Sequence, residues 1–519
     1  MTDTAHTGVH AGLRPTIEGL AGRARVDWRI GLLAAVGLAA AAGLATSWLI
    51  PRGPSTALQG LVVMATGLLI GATAGLLVGR RAAIVPVGLV HLAAIELGRL
   101  DAVGPSLDTV NLGNTFGILG FVVGRGLHGF LLLVPMAFGA ALAVHLGRRS
   151  AERTANARHH RPFGTAVLGL AATGLLVLVA WPASTPPVLG PDGRPVPGSS
   201  AEMATVHLGG VDQTVLIRAA DPDKPVLLYL SGGPGQTDFA YSRPVTSGWV
   251  QDFVFVDWDQ RGNGTSYRGF EPAETLTLDQ AVADTIALTD YLRERFDESK
   301  IYVMGESWGT ILGALAVEQR PDLYHAFIGS GQMVNIRETD TRIYEDLVAY
   351  AAGSGNAELA TTLEGFGPPP YRDFPWTNGA IWGYYDYIFE PYTPSQPYID
   401  RIDAAGVGPY GVLASEYSFI DKFNVLRGLL DTFAVLYPQV YDVDLRRDAA
   451  RLEVPVWMLD GTAELDGRRD LALDWFNRLE APTKELVAYD GAAHSVAFEQ
   501  IDVVHRLLVE TIVPATYQR

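Results

Sequence analysis

Three short stretches of the chain hold residue types that could do nucleophilic chemistry. In the run IYVMGESWGTILGALAV, a β-branched and apolar stretch leads into Gly305-Glu306-Ser307-Trp308-Gly309 and then into an apolar helical pattern. A serine on such a strand-to-helix turn lifts its hydroxyl above a sheet, and the next backbone N–H, from Trp308, faces the oxyanion formed on attack. A hydroxyl at its ordinary pKa is a poor nucleophile and needs a base oriented by an acid. His494, in VAYDGAAHSVAFEQ, offers the base in a loop after the apolar run 485–489. The loop after residues 454–459 reads Asp460-Gly461-Thr462-Ala463-Glu464-Leu465-Asp466 and offers three acids, about 30 residues before the histidine. The order along the chain is serine, acid, histidine. There is no cysteine, so a thiolate nucleophile, a thiolate metal site and a disulfide scaffold are all excluded.

These residues need a scaffold, and the sequence predicts an α/β one. Residues 215–217, 226–230, 253–257 and 301–304 are short apolar runs bounded by glycine, proline and aspartate, as buried parallel strands are. Over residues 278–296 the apolar positions Ala281, Ala283, Ile286, Leu288 and Leu292 recur at helical spacing. Strands alternating with helices predict a parallel sheet covered on both faces.

Four blocks then carry a resemblance: Ser231-Gly232-Gly233-Pro234-Gly235, Asp259-Gln260-Arg261-Gly262-Asn263-Gly264, the GESWG turn, and the glycine-histidine loop at His494. In this order they resemble an α/β-hydrolase of the proline iminopeptidase (prolyl aminopeptidase) type, with a helical cap at about 335–450. The resemblance implies that Ser307 is the nucleophile and His494 the base. It also implies that Gly232 or Gly233, with Trp308, donates to the oxyanion. The family's G-x-x-D count from Gly461 lands on Glu464, with Asp466 and Asp460 as the other acids of that loop. Ser231 replaces the histidine that opens the family's glycine-rich block, and Asp259 and Arg261 are expected to tie the oxyanion loop down. Ten aromatics in residues 371–398 are read mainly as cap core. Glu338, Asp340, Glu345, Asp386 and Glu416 supply carboxylates, one or two of which could bind a substrate amine. The family's cap signature for proline is not recognisable, so the serine chemistry transfers and the proline specificity does not.

The first third of the chain is a different kind of protein. Residues 1–182 carry 14 arginines against 7 acidic groups, whereas residues 183–519 carry 25 basic against 49 acidic, within a total of −17. That acidity argues against a nucleic-acid partner. A mean hydropathy of +0.16 with 18% charged residues suits a membrane protein better than a soluble enzyme. Five apolar runs are expected to span, with four as the alternative count because the third is short: 28–50, 57–79, 82–97, about 126–146 and 163–181. With residues 1–28 inside, eleven arginines (14, 23, 25, 29, 80, 81, 148, 149, 153, 158, 161) fall on the cytoplasmic side and three (52, 99, 125) outside. The reading is therefore a multi-pass cell-membrane protein: transmembrane helices over 29–181, a proline-rich spacer over 182–200, and an extracytoplasmic hydrolase domain over 201–519. Glu96 and Arg99 are expected to pair near the outer interface, and His159–His160 to face headgroups rather than a metal. The expected activity is a membrane-anchored serine hydrolase without metal or organic cofactor, acting on peptides or esters. The other class of reading is an inert hydrolase fold in a sensing or assembly protein.

Overall fold

The computed structural model describes residues 27–100, 112–113, 115–155, 163–372, 374–405 and 413–517. Arg14, Arg23, Arg25, Arg158, Arg161 and the His159–His160 pair lie outside them. Two compact units emerge, one within Met1–Leu49, Val62–Leu100 and Gly129–Leu175, the other within Ile50–Leu61, Asp101–His128 and Leu176–Arg519.

The first unit draws on α1 (Trp28–Leu49), α2 (Ala57–Val78), α3 (Ile84–Leu97), α5 (Leu127–Ala155) and α6 (Phe163–Ala180); α4 (Thr115–Phe121) runs into α5 through a π turn at Val122–Gly126. Among the described residues, four helices are long and apolar enough to cross a membrane: Trp28–Leu49, Ala57–Val78, Gly117–Gly147 and Phe163–Ala180. The expected fifth span is corrected here. With 14 residues at ~1.5 Å each, α3 reaches about 21 Å, short of the ~30 Å hydrocarbon core. Packing in this unit relies on small residues. A Cβ placed on Gly71 of α2 would stand 1.9 Å from the Met136 carbonyl oxygen, so the two backbones meet directly. Between α1 and α3, the buried His91 Nδ1 lies 3.1 Å from the Ala39 carbonyl oxygen.

The second unit is built on one eight-stranded sheet. Its strands are β1 (Ser200–Leu208), β2 (Val211–Ala219), β3 (Val226–Leu230), β4 (Val254–Asp259), β5 (Ile301–Glu306), β6 (Tyr324–Ser330), β7 (Val456–Gly461) and β8 (Lys484–Tyr489). Their order is β1-β2-β4-β3-β5-β6-β7-β8, antiparallel at β1–β2 and β2–β4 and parallel elsewhere. The central strands are buried along their whole length, which is why they read as unbroken apolar runs. By contrast β1, SAEMATVHL, is mostly half-exposed and too polar to announce itself. Helices α7 (Phe239–Val245), α8 (Leu278–Phe296) and α9 (Trp308–Gln319) follow β3, β4 and β5. The predicted helix over 278–296 is α8 to the residue, started by the Thr277 side chain accepting from the Gln280 N–H and stopped at Asp297 with φ 52°.

Between β6 and β7 stands an insertion of α10 (Ile336–Ser354), α11 (Ala357–Phe366), α12 (Trp376–Trp382), α13 (Gln396–Ala405), α14 (Phe419–Val440) and α15 (Leu445–Asp448). Its aromatics chiefly pack on one another. Phe374 stacks on Phe433 and Tyr437 at 5.3 and 5.7 Å, and Trp382 meets Phe433 edge-on at 5.0 Å. After β7 comes α16 (Asp466–Arg478), and after β8 come α17 (Val496–Glu499) and α18 (Ile501–Leu507).

Residues 182–200, read from sequence as a semi-rigid spacer, lie against the hydrolase unit. Val188 is buried among core residues of the sheet, the Ser184 N–H donates to the Ser415 carbonyl, and Arg218 Nη1 donates to Thr185 Oγ1 and the Pro186 carbonyl, each at 2.7 Å. Proline forbids regular structure here, but a fixed extended segment can still lend its carbonyls to a buried guanidinium.

Candidate active site

Ser307 follows the last residue of β5 and opens α9, with φ 52° and ψ −118°. Such a backbone is costly for a non-glycine residue and persists only where its surroundings impose it. The two flanking glycines impose it. A Cβ on Gly305 would stand 2.3 Å from the Gly309 carbonyl oxygen, and one on Gly309 would stand 2.0 Å from that of Leu230. Trp308 occupies the first position of α9, where a helix offers its N–H no internal acceptor. The glycine-rich loop after β3 lies over the serine, since a Cβ on Gly232 would be 3.4 Å from Ser307 Cβ. Gly232, Gly233 and the Trp308 N–H thus belong to one neighbourhood around the hydroxyl.

His494 is brought in from the β8 end. Its Nδ1 is hydrogen-bonded to Glu464 Oε2. The position after β6 must be glycine, because a Cβ on Gly331 would stand 2.2 Å from the His494 carbonyl oxygen and 3.0 Å from its Nδ1. Of the three acids in the β7 loop, Glu464 is the one that meets the histidine. Asp460 pairs with Arg469 at 2.7 Å, and Asp466 is exposed at the start of α16. Glu464 Oε1 accepts from the Leu465 N–H at 2.8 Å and from Arg468 Nη1 at 3.3 Å. Burial opposes ionisation of this carboxyl, but the charges of His494 and Arg468 prevail and hold it down at about 2. Arg468 in turn lies 5.1 Å from the ring of Tyr385, which links the acid to the cap. Sequence reasoning missed Arg468; its place four residues after Glu464, on the first turn of α16, was the available signal.

The second glycine-aspartate block supports the oxyanion loop, through residues other than those expected. Gln260 is the connector: its Oε1 accepts from Trp308 Nε1 at 3.0 Å, and its Nε2 reaches Ser231 Oγ at 3.4 Å. Asn263 Nδ2 donates to the Gln236 carbonyl at 3.3 Å. Ser231 Oγ also donates to that carbonyl, at 3.3 Å, so a hydroxyl fills the supporting role left by the missing histidine. Arg261 instead pairs with Asp284 of α8 at 2.8 Å and with the Gly209 carbonyl at 2.9 Å, while Asp259 accepts from the Thr265 N–H and hydroxyl. Both are structural, one step removed from the loop.

A buried acidic pair also adjoins the serine. Tyr229 OH is 3.0 Å from Glu306 Oε2 and 3.1 Å from Asp238 Oδ2. One phenolic proton cannot serve two carboxylates, so one carboxyl carries its own proton near neutrality. Burial, reinforced by the charge of Asp238, raises Glu306 to about 8. Glu306 Oε1 accepts from Ser495 Oγ at 2.7 Å, which ties the elbow to the histidine loop. Glu499 secures the same loop, accepting from the Ala493 N–H at 2.6 Å and Tyr392 OH at 2.9 Å. The cap carboxylates considered from sequence are elsewhere or occupied. Glu338 pairs with Arg342 and Arg446, Asp340 accepts from Tyr437 and Tyr441, Glu416 pairs with Arg243, and Glu345 and Asp386 are exposed. Sequence reasoning passed over Glu306, although an acid beside the elbow serine was in plain view.

Strand order, elbow and histidine-acid pair together define the second unit as an α/β-hydrolase, and the chain is a hydrolase enzyme. Residues 235–359 match the family described as Hydrolase_4, serine aminopeptidase, S33. A "Probable aminopeptidase YbaC" of Bacillus subtilis (strain 168) is 27% identical over 302 residues, 58% of this chain and 93% of that protein. Among solved structures, proline iminopeptidase of Mycobacterium smegmatis is similar at 17% identity and a TM-score of 0.43, over 60% of this chain and 98% of that one. A proline iminopeptidase-related protein of Thermus thermophilus is similar at 18% identity and a TM-score of 0.41, over 61% and 98%.

Proposed function

We propose that the protein is a membrane-anchored serine hydrolase of aminopeptidase type, acting on the extracytoplasmic side through an acyl-enzyme. The observation that carries the chemistry is His494 Nδ1 bonded to the ionised Glu464 in the unit whose elbow presents Ser307. Nδ1 engaged in this way fixes the ring so that Nε2 is the basic nitrogen. Ser307 Oγ attacks the scissile carbonyl and passes its proton to His494; the oxyanion takes donors from Trp308 and from Gly232 or Gly233. His494 then returns the proton to the leaving amine or alkoxide. Water deacylates the serine by the same route, and no cofactor enters. Each oxyanion donor is worth about 3–4 kcal/mol of the barrier in related chemistry. The aminopeptidase reading draws on the similarity to serine aminopeptidases, and it gives Glu306 and Asp238 the task of receiving the substrate's ammonium beside the serine.

The topology reading draws on the arginine distribution and on chain connectivity. Arg427 of α14 is fully buried and donates to the Pro54 carbonyl at 2.6 Å and the Val123 carbonyl at 2.8 Å. Pro54 follows α1 and Val123 follows α3 along the chain, so the stretch through α2 and α3 departs from this unit and returns to it.

Labelling of the purified full chain with a fluorophosphonate probe tests the reading. Wild type is expected to label and Ser307→Ala to stay unlabelled with an unchanged melting temperature. Labelling of the alanine variant would move the nucleophile elsewhere. In an aminoacyl and acyl chromogenic panel, preference for free-amine substrates supports the aminopeptidase assignment, and indifference to the amine defeats it.

A further inference from the structure

Within the hydrolase unit, a cavity of about 1080 Å³ reaches Glu306 and Ser495, the residues next in the chain to Ser307 and His494. Its polar end is made by Gln236, Asp238, Glu306 and Ser495, the neighbours of the nucleophile and of His494. Away from that end the wall is mostly hydrocarbon, with Phe419, Phe423 and Leu426 of α14, Val123, Leu178 and Trp181, interrupted by Lys422 and the hydroxyls of Ser184, Ser415 and Ser418. Leu178 lies in the last turn of the apolar helix α6 and Trp181 directly follows it; they are 53% and 68% exposed.

The size is notable for a site that would handle one aminoacyl group. Pockets for small molecules run to roughly 300–1,000 Å³, so this one lies just above that range. A soluble peptide laid along the far wall would bury amide groups against phenylalanine and leucine carbons, where an unpaired amide is costly. A hydrocarbon chain has no such groups. Tryptophan at the end of a membrane-length apolar helix marks the level of the bilayer interface, which is where a lipid chain would enter.

We propose that this cavity holds the hydrocarbon part of an amphiphile whose aminoacyl ester or amide lies at Ser307, so that the substrate is an aminoacylated lipid rather than a soluble peptide. The proposal rests on the serine-hydrolase reading and names its substrate class. Ser307 Oγ bonds to the aminoacyl carbonyl carbon while its proton moves to His494. The carbon–oxygen or carbon–nitrogen bond to the lipid then breaks, and the lipid alcohol or amine departs with that proton. Water adds its hydroxyl to the acyl carbon, passes a proton through His494 back to Ser307 Oγ, and releases the free amino acid.

The test uses the full-length protein in detergent micelles with alanine esters of ethanol, octanol and dodecanol, alongside a soluble tetra-alanine peptide. Each buried methylene strengthens apolar binding about three- to fourfold. The expected result is a kcat/KM at least about 100-fold higher for the dodecyl than for the ethyl ester. Two variants that fill the cavity from different walls, Leu426→Trp on α14 and Ala414→Phe at the lining residue that precedes α14, are each expected to lower the dodecyl-to-ethyl ratio at least tenfold. Retained fluorophosphonate labelling certifies that each variant is folded. A ratio flat or falling with chain length overturns the proposal, as does preference for the peptide or an unchanged ratio in both labelled variants. If wild-type Ser307 itself fails to label, the serine-hydrolase reading fails and the proposal falls with it; labelling without any ester turnover overturns the substrate class alone.

Discussion

Replacing Glu464 by glutamine preserves its size but removes the charge that balances the imidazolium. Turnover is expected to fall by about 10³–10⁴, as when a triad acid is amidated elsewhere, while Asp466→Asn, on an exposed helix start, stays within twofold of wild type. Steady-state kinetics on any substrate the panel identifies decides it, and the reverse ranking would remove Glu464 from the triad. Glu306 makes a different, pH-linked prediction. Its proton is held to about 8 in the folded chain against an ordinary 4.5, so between those values the native state binds a proton that the unfolded state has lost. Stability contributed by this group therefore declines as pH rises from 4.5 to 8. Glu306→Gln removes the penalty, so its melting temperature relative to wild type should rise across that window. A difference constant with pH would refute the linkage. Glu464 has the opposite sign: held at about 2, it favours the fold above 4.5 and loses that contribution as pH falls toward 2. At this scale the serine and the histidine were legible because each sits in a local pattern. The acid was legible only as one of three, since choosing among Asp460, Glu464 and Asp466 requires knowing which backbone faces the β8 loop. Glu306 went unnoticed because its partners Tyr229, Asp238 and Ser495 are distant in sequence.

At the level of elements, α14 joins the cap to the rest of its unit. Besides the bonds from Arg427, Asn424 Nδ2 donates to the Ser55 carbonyl at 2.9 Å, and Arg52 stacks on Phe270 at 4.7 Å. Arg427→Met leaves the Pro54 and Val123 carbonyls without this donor, at about 1–3 kcal/mol for each buried group that stays unsatisfied. The variant is expected to melt several degrees below wild type and to be nicked by trypsin after Arg52, whereas Arg478→Met, in an exposed pair on α16, should match wild type. Equal melting temperatures for the two would mean that α14 is held by other contacts. Periodicity found the buried strands and α8, whose apolar residues are regularly spaced. The run 82–97 already stood out as the shortest of the five, and α3 keeps only 14 residues of it, ending at the same Leu97. Proline content could not reveal that residues 182–200 are held in place, since their anchors are Arg218 and Ser415, distant in the chain.

For the whole molecule, sidedness decides which substrates can reach the site. With the hydrolase outside, protease added to intact cells or spheroplasts is expected to degrade it and to spare the basic loop at Arg153. Protection of the hydrolase until the membrane is permeabilised would place it in the cytoplasm and reverse the reading of the arginines. The composition of the two parts was plain from the sequence, a basic apolar third followed by an acidic enzyme. Their division was not: the sequence suggests a cut near residue 182, whereas the compact hydrolase unit also takes in Ile50–Leu61 and residues from Asp101–His128.

The bond between Arg427 and the Pro54 carbonyl spans 373 residues, and this separation bears on how the protein is made. At ~5–20 residues per second, the loop leaves the ribosome about 20–75 s before the arginine that will cap its carbonyl. In the meantime that loop must wait, exposed, while the rest of the chain is made. The hydrolase unit therefore cannot mature from the later part of the chain alone. Its last folding step is a closure onto segments delivered much earlier, and a gene fragment encoding only residues 201–519 would produce a hydrolase whose α14 has lost the surface on which it settles.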